Sequence, residues 1–210
     1  MIYVLDLFGV LVFAVAGSLA AGRKQMDLFG VVVVALVTAL GGGTLRDVTL
    51  GLSPVFWVSD PMYVLVAAAA AIGTFVLARS FRLPRRLMLV ADAFGLAIFT
   101  VIGVRKALGV GVHPGIAVVM GVMTGVAGGM IRDVLSGEIP LILRREIYAT
   151  ASLCGAAVFV GLAHWFPHTP LNAVVAVAVI LAARLAAIHW RLSLPVFARR
   201  AEEPEDAQDT

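Results

Sequence analysis

The segment Gly41-Gly42-Gly43-Thr44-Leu45-Arg46-Asp47 returns 86 residues later as Ala127-Gly128-Gly129-Met130-Ile131-Arg132-Asp133. Aligned without gaps, Asp6–Pro54 and Asp92–Pro140 share 17 identities in 49 positions, among them Asp6/Asp92, Thr38/Thr124, Arg46/Arg132, Asp47/Asp133 and Pro54/Pro140. An apolar composition alone would match Val with Val, but not an aspartate, an Arg-Asp dipeptide and a proline at one offset. The chain is therefore a duplicated unit, and any fold it adopts must place this charged segment twice.

The surroundings of that segment are apolar. Hydrophobic residues make up 61% of the chain and charged residues 14%, against about 25% charged in an average soluble protein. Apolar stretches near 3–21, 28–45, 62–78, 88–104, 115–131, 148–165 and 171–190 are each long enough to cross a hydrocarbon layer as a helix. The expected fold is an all-α membrane protein of seven transmembrane helices. Each repeat holds three of them, an odd number, so the second copy is upside down relative to the first, a plan common in transporters. The expected divisions are a first repeat over 1–86, an inverted second repeat over 87–170, a seventh helix over 171–190 and a tail over 191–210. Five of the 13 acids fall in the last ten residues, without a base among them, a composition that does not pack.

Loop charge sets the orientation. Arg23, Lys24, Arg79, Arg82, Arg85, Arg86, Arg132, Arg144, Arg145, Arg191, Arg199 and Arg200 collect on one side, and only Arg46, Arg105 and Lys106 on the other. Lys and Arg favour the cytoplasmic side, which puts the N-terminus outside and the C-terminus inside. The same rule accounts for the basic residues without any nucleic acid.

In hydrocarbon, ionised side chains need partners that lipid does not supply. Asp6, Arg46 and Asp47 lie toward the outer ends of their helices, and Asp92, Arg132 and Asp133 hold mirrored inner places. Two charge clusters at the mouths of a polar path are expected, with Asp6 close to Arg46 and Asp92 close to Arg132. The bland alternative is an interfacial helix end with a snorkelling arginine. It leaves unexplained why the outer copy keeps an arginine. The runs Gly41, Gly42, Gly43 and Gly128, Gly129 have two compatible readings, close helix packing and a kink or unwound hinge, since adjacent glycines each cost about 1 kcal/mol of helix stability. Thr38, Thr124, Arg105 and Lys106 are further candidates for the lining of the path. The threonines have the alternative of bonding to their own helices.

Other polar residues read as structural. Arg184 is expected to snorkel from the seventh stretch or to meet a neighbouring subunit, Cys154 to be a small core residue, and His113, His164, His168 and His189 to be interfacial. No catalytic constellation, phosphate loop, metal-ligand spacing or cofactor motif is found, so an enzyme is not expected. A structural scaffold would leave the duplicated buried charges without purpose.

The doubled Gly-Gly-x-x-Arg-Asp-Val segments, the openings Asp6-Leu7-Phe8-Gly9 and Asp92-Ala93-Phe94-Gly95, and the seven stretches resemble the bacterial members of the trimeric intracellular cation (TRIC) channel family over about residues 1–190. The resemblance implies a homotrimer in a bacterial inner membrane, in contact with lipid. Each subunit would have its own pore for potassium, or sodium, lined by the first, second, fourth and fifth helices and kinked at Gly41–Gly43 and Gly128–Gly129. No Lys-x-x-x-Arg pair stands in the fourth stretch, so the phosphoinositide regulation of animal relatives is not implied. The same bacterial sequences are also labelled glycine transporters, and a secondary transporter of glycine or another small zwitterion is the rival reading.

Overall fold

The computed structural model describes residues 2–81, 84, 86–144, 147–167, 169–190 and 192. The expectations made for Arg82, Arg85, Arg145, Arg191, Arg199, Arg200, His168 and the tail after Leu192 lie outside the described residues. Each apolar stretch forms a helix: α1 (Ile2–Arg23), α2 (Leu28–Thr49), α4 (Met62–Ser80), α5 (Leu87–Gly109), α6 (Pro114–Leu135), α8 (Ala149–Trp165) and α9 (Leu171–Trp190). Two short helices that the apolar pattern does not announce, α3 (Phe56–Ser59) and α7 (Leu141–Arg144), follow α2 and α6. Six helices are long and apolar enough to span a membrane, and α8, with 17 residues, is shorter.

Local sequence explains where the helices start and stop. Asp27 caps α2 by accepting from Gly30 N at 2.7 Å, and Pro114 opens α6 at a position where its missing N–H costs nothing. Both repeated helices end alike. Gly51 (φ 68°) and Gly137 (φ 65°) take the left-handed conformation, and Leu52 N and Glu138 N reach back to Asp47 O and Asp133 O at 2.8 Å. This is the glycine-terminated helix end that other residues enter only with strain. It turns the chain sharply enough to bring α3 and α7 back against the Arg-Asp segments.

The core is organised by the repeat. α5 packs on α1, α6, α8 and α9, and α2 packs on α1, α4 and α6. α4 lies at the rim and buries one stripe, Tyr63, Ala67, Ala71 and Thr74, at the spacing of a single helix face. Contacts recur in reciprocal pairs. A Cβ on Gly42 would fall on the Thr124 carbonyl oxygen, and one on Gly128 would fall on the Thr38 carbonyl oxygen. Gly9 faces Phe99 while Gly95 faces Phe13, and Gly17 faces Thr38 and Ala35 while Gly103 faces Thr124 and Gly121. Phe13 stacks on its own equivalent Phe99 at 5.3 Å, and Phe8 meets its equivalent Phe94 edge-on at 6.5 Å. The Gly17 and Gly103 contacts repeat within each half, whereas contacts of i with j′ and of i′ with j, and of a residue with its own equivalent, are the mark of a two-fold relation, and the pseudo-axis passes by these phenylalanine pairs.

Of the two readings held for the glycine runs, close packing is the one the contacts display. α2 and α6 stay helical through Gly41–Gly43 and Gly128–Gly129, so neither run is unwound. The middle glycines are spent on approach, letting the backbones of α2 and α6 cross with carbonyl oxygens where a Cβ would otherwise sit. Only a residue without a side chain permits that distance.

Candidate functional site: two buried charge clusters

The Arg46 cluster forms where α2 ends against α1, α3, α4 and α5. Arg46 and Asp47 are each 1% exposed. Arg46 Nε donates to Asp47 Oδ1 at 2.7 Å, and Asp47 Oδ2 accepts from the backbone N–H of Phe56 at 3.1 Å. Lys106 Nζ reaches Asp47 Oδ1 at 3.7 Å, and both cations lie over the Phe56 ring, at 5.6 and 5.5 Å. Asp6, also buried, accepts from Tyr63 Oη at 3.0 Å. Asp6 therefore joins the same cluster as Arg46 without a direct ion pair between them. Arg46 is held by its own neighbour Asp47, and a tyrosine that the repeat alignment does not reach takes Asp6.

The Arg132 cluster repeats this design with one contact more. Arg132 Nε donates to Asp133 Oδ1 at 2.8 Å, and Asp133 Oδ2 accepts from Leu141 N at 2.9 Å. Arg132 Nη1 also donates to Asp92 Oδ1 at 2.6 Å, the pairing expected from the sequence. Arg132 and Asp92 are fully buried. Gly129 makes room for this site: a Cβ there would stand 2.8 Å from Tyr148 Oη and 3.1 Å from Asp92 Oδ1. Gly43 does the same for the Phe56 ring in the other cluster. Arg184, placed at the lipid interface by the sequence, is instead 1% exposed, with its guanidinium 4.6 Å above the Tyr148 ring. A long helix can carry such a cation inward when an aromatic face and nearby carboxylates stabilise it.

Each cluster thus brings together two carboxylates and two cations. The repeat supplies two acids and one arginine to each. The second cation has no repeated counterpart: it is Lys106 of α5, aligned with Ala20, in one case and Arg184 of α9, beyond the aligned copies, in the other. In both, the aspartate of the dipeptide also caps the short helix that follows, so the motif ties a returning loop to the end of a membrane helix. Arg105 faces outward and is exposed, Thr38 and Thr124 donate to Val34 O and Met120 O of their own helices at 2.6 Å, and Cys154 is exposed rather than buried. Among the described residues no group of His, Cys, Asp and Glu is placed to hold a metal.

The two ends differ beyond the clusters. Below Arg132 a cavity of about 240 Å³ is lined by Met88, Asp133, Ser136 and Leu141. Its rim is an ion triad, with Glu138 bonded to Lys24 Nζ at 2.6 Å and to Arg144 Nη2 at 2.9 Å. The positions 86 residues away from Glu138, Lys24 and Arg144 are Leu52, Val110 and Val58, so the equivalent rim at the other end is apolar. Lys24, and after it Arg144, hold the Glu138 carboxyl below its ordinary value of 4.5. A depressed carboxylate stabilises the fold above its unfolded value and loses that contribution as pH falls through the folded one. The effect is small at this exposure. Lys24→Ala should move the Glu138 titration midpoint up toward 4.5, read by carboxyl NMR in micelles. An unmoved midpoint would show that Lys24 does not hold the triad.

Comparison with known proteins follows the repeat. The family model described as Glycine transporter matches twice, over residues 3–79 and 89–164, one match to each half. The UPF0126 inner membrane protein YadS of Escherichia coli (strain K12) is 51% identical over 201 residues, covering 94% of this chain and 97% of the relative. A UPF0126 membrane protein of Vibrio cholerae is 48% identical over 200 residues, covering 94% and 83%. Among solved structures, the TRIC trimeric intracellular cation channel orthologue from Rhodobacter sphaeroides is 46% identical, with a TM-score of 0.87 over 91% of this chain and 98% of that one. A TRIC cation channel solved to explain conductance is 35% identical, with a TM-score of 0.86 over 95% and 98%. With two matches to one family model and near-complete coverage of these relatives, the chain belongs to the membrane-protein family that takes in the UPF0126 proteins and the prokaryotic TRIC channels.

Proposed function

We propose that the chain is a passive cation channel, permeable to potassium, with a pore inside each subunit of a homotrimer. In this reading α8 completes seven crossings of a bacterial inner membrane, the N-terminus faces out, and the C-terminus faces the cytoplasm. Residues 1–86 and 87–170 are the two inverted halves. The observation that carries the proposal is the pair of charge clusters at opposite ends of the α2–α6 crossing. Each is charge-balanced, and in each the repeated arginine has a buried guanidinium nitrogen with no hydrogen-bond partner among the described residues, Arg46 Nη1 and Arg132 Nη2. Buried donors of that kind are satisfied by water, which makes both clusters stations of a hydrated path. Balanced charge lets a cation approach a carboxylate without being trapped by it. The solved relatives named as cation channels support the same reading.

In this reading the path is closed at the crossing, where Gly42 and Gly128 lie against backbone carbonyl oxygens of the facing helix. Conduction therefore requires α2 and α6 to separate, with the glycine runs as the natural hinges. Purified protein in planar bilayers should show unitary currents whose reversal potential follows the potassium gradient. Smooth saturable flux without unitary events would sink the proposal.

The family model's description favours a second reading, transport of glycine. It would use an arginine and an aspartate to hold a zwitterion, yet Arg46 and Arg132 are each bound by the adjacent aspartate. Labelled-glycine uptake into proteoliposomes separates the two, since the channel gives none above empty vesicles.

A further inference from the structure

The repeat continues past the point where its gapless alignment ends. Asp47 Oδ2 accepts from Phe56 N, 9 residues on, whereas Asp133 Oδ2 accepts from Leu141 N, 8 residues on. The connection after α6 is thus shorter by a single residue than the connection after α2. From there the halves match at an offset of 85, which pairs Tyr63, Ala67 and Ala71 of the buried α4 stripe with Tyr148, Ser152 and Ala156, all buried as well. Tyr63 and Tyr148 are therefore equivalent. Each half holds a triad of one tyrosine, one buried aspartate and one buried arginine.

The two triads contain the same residues and are bonded differently. In the first half Tyr63 Oη donates to Asp6 at 3.0 Å, and Arg46 Nη1 has no hydrogen-bond partner among the described residues. In the second half Arg132 Nη1 donates to Asp92 at 2.6 Å, and Tyr148 Oη is the group without a partner among them. Tyr148 is nonetheless within reach of the aspartate. A Cβ on Gly129 would stand 2.8 Å from Tyr148 Oη and 3.1 Å from Asp92 Oδ1, so both oxygens border the same spot. A buried hydroxyl beside a carboxylate is normally bonded, because leaving it unbonded costs stability. One aspartate rests on its tyrosine and the other on its arginine. Each half displays the arrangement that the other half has the residues to make.

We propose that Tyr63 and Tyr148 are positioning residues of the conformational cycle, each aspartate exchanging between its tyrosine and its arginine. In the second state Asp6 pairs with Arg46 and Asp92 accepts from Tyr148, so the halves trade arrangements. Because the halves are inverted copies, the exchanged state uses the same kinds of contact at opposite ends of the fold. The exchange strands no buried ion. Each aspartate keeps a donor in either state, and each arginine stays bound to the aspartate next to it, at 2.7 or 2.8 Å. Gly129 adds no side chain at the spot where Asp92 and Tyr148 would meet. The inference holds for a channel or a carrier, since it concerns the two halves and not the species that crosses.

The test is fluorine NMR of the full chain in nanodiscs. The chain has three tyrosines, so 3-fluorotyrosine gives three signals, assigned with Tyr3→Phe, Tyr63→Phe and Tyr148→Phe. Tyr63→Phe removes a bond made only in the state described and should raise the population with Tyr148 bonded about tenfold, the worth of one hydrogen bond to a charged group. That rise is read by saturation transfer at the Tyr148 signal, in the other cluster, where a merely structural role of Tyr63 would change nothing. Tyr148→Phe keeps the ring that carries Arg184. It should leave thermal stability unchanged and cut the minor population at Tyr63 by a similar factor. A Tyr148 signal that Tyr63→Phe does not move would overturn the proposal, since the clusters are then fixed. A Tyr148→Phe variant as unstable as Tyr63→Phe would overturn it too, since that hydroxyl is then bonded at rest. If the signals exchange as described while bilayers show no unitary current, the channel reading fails and this one stands.

Discussion

Arg132→Met should destabilise the protein by about 3–5 kcal/mol, because it strands Asp92 and Asp133 in the interior without a cation. The guanidinium holds both carboxylates, at 2.6 and 2.8 Å, and the nearest further cation, Arg184, is turned to the face of Tyr148. The equivalent Arg46→Met should cost clearly less. There Lys106 remains 3.7 Å from Asp47, and Asp6 keeps its bond from Tyr63. Adding Asp92→Asn and Asp133→Asn to Arg132→Met should recover most of the loss. The uncompensated charges are then gone, and an asparagine oxygen can still accept from Leu141 N. Unfolding in detergent micelles measures all three. Equal losses at Arg46 and Arg132, or no recovery in the triple variant, would contradict the clusters as described.

Gly42→Ala and Gly128→Ala should each destabilise by about 2 kcal/mol or more, since the added methyl meets a backbone carbonyl that cannot rotate away. The two losses should match, because the contacts are reciprocal across the pseudo-axis. Gly73→Ala is the control. It lies within α4 with nothing within 4 Å of its Cβ and should gain up to about 1 kcal/mol from helix propensity. If Gly42→Ala proved neutral, the crossing would be looser than described, and the path between the clusters would not be shut there. Current records from the same variants would then connect packing with conduction: in this reading a wedge at the crossing alters opening, whereas Gly73→Ala leaves it unchanged.

The comparison of the two clusters shows why part of the site was legible and part was not. The pairing of Asp92 with Arg132 followed from matching depth on neighbouring helices of one repeat, and it is made. Asp6 and Arg46 share a cluster, as that reasoning expected, but no direct ion pair joins them. Nothing in the repeated segment announces that Tyr63 would reach Asp6, or that α3 would return to let Asp47 bond Phe56 N. The reading of Arg184 as an interfacial residue failed. A lone arginine two turns from a helix end looks like a snorkelling residue unless the aromatic ring that receives it is known. That ring, Tyr148, lies 36 residues earlier in the chain.

The sequence by itself determined the helices, the duplication and the two places where charge had to be buried. Apolar length, helix-ending glycines and a repeated dipeptide are local or periodic signals, each read from neighbours along the chain. Only the tertiary structure decided which carboxylate each arginine holds, where the second cation of each cluster comes from, and that Gly42 and Gly128 serve a backbone crossing without unwinding their helices. These are distances between segments far apart in sequence. They are set by how side-chain volumes close around the pseudo-axis, and no single segment carries that information.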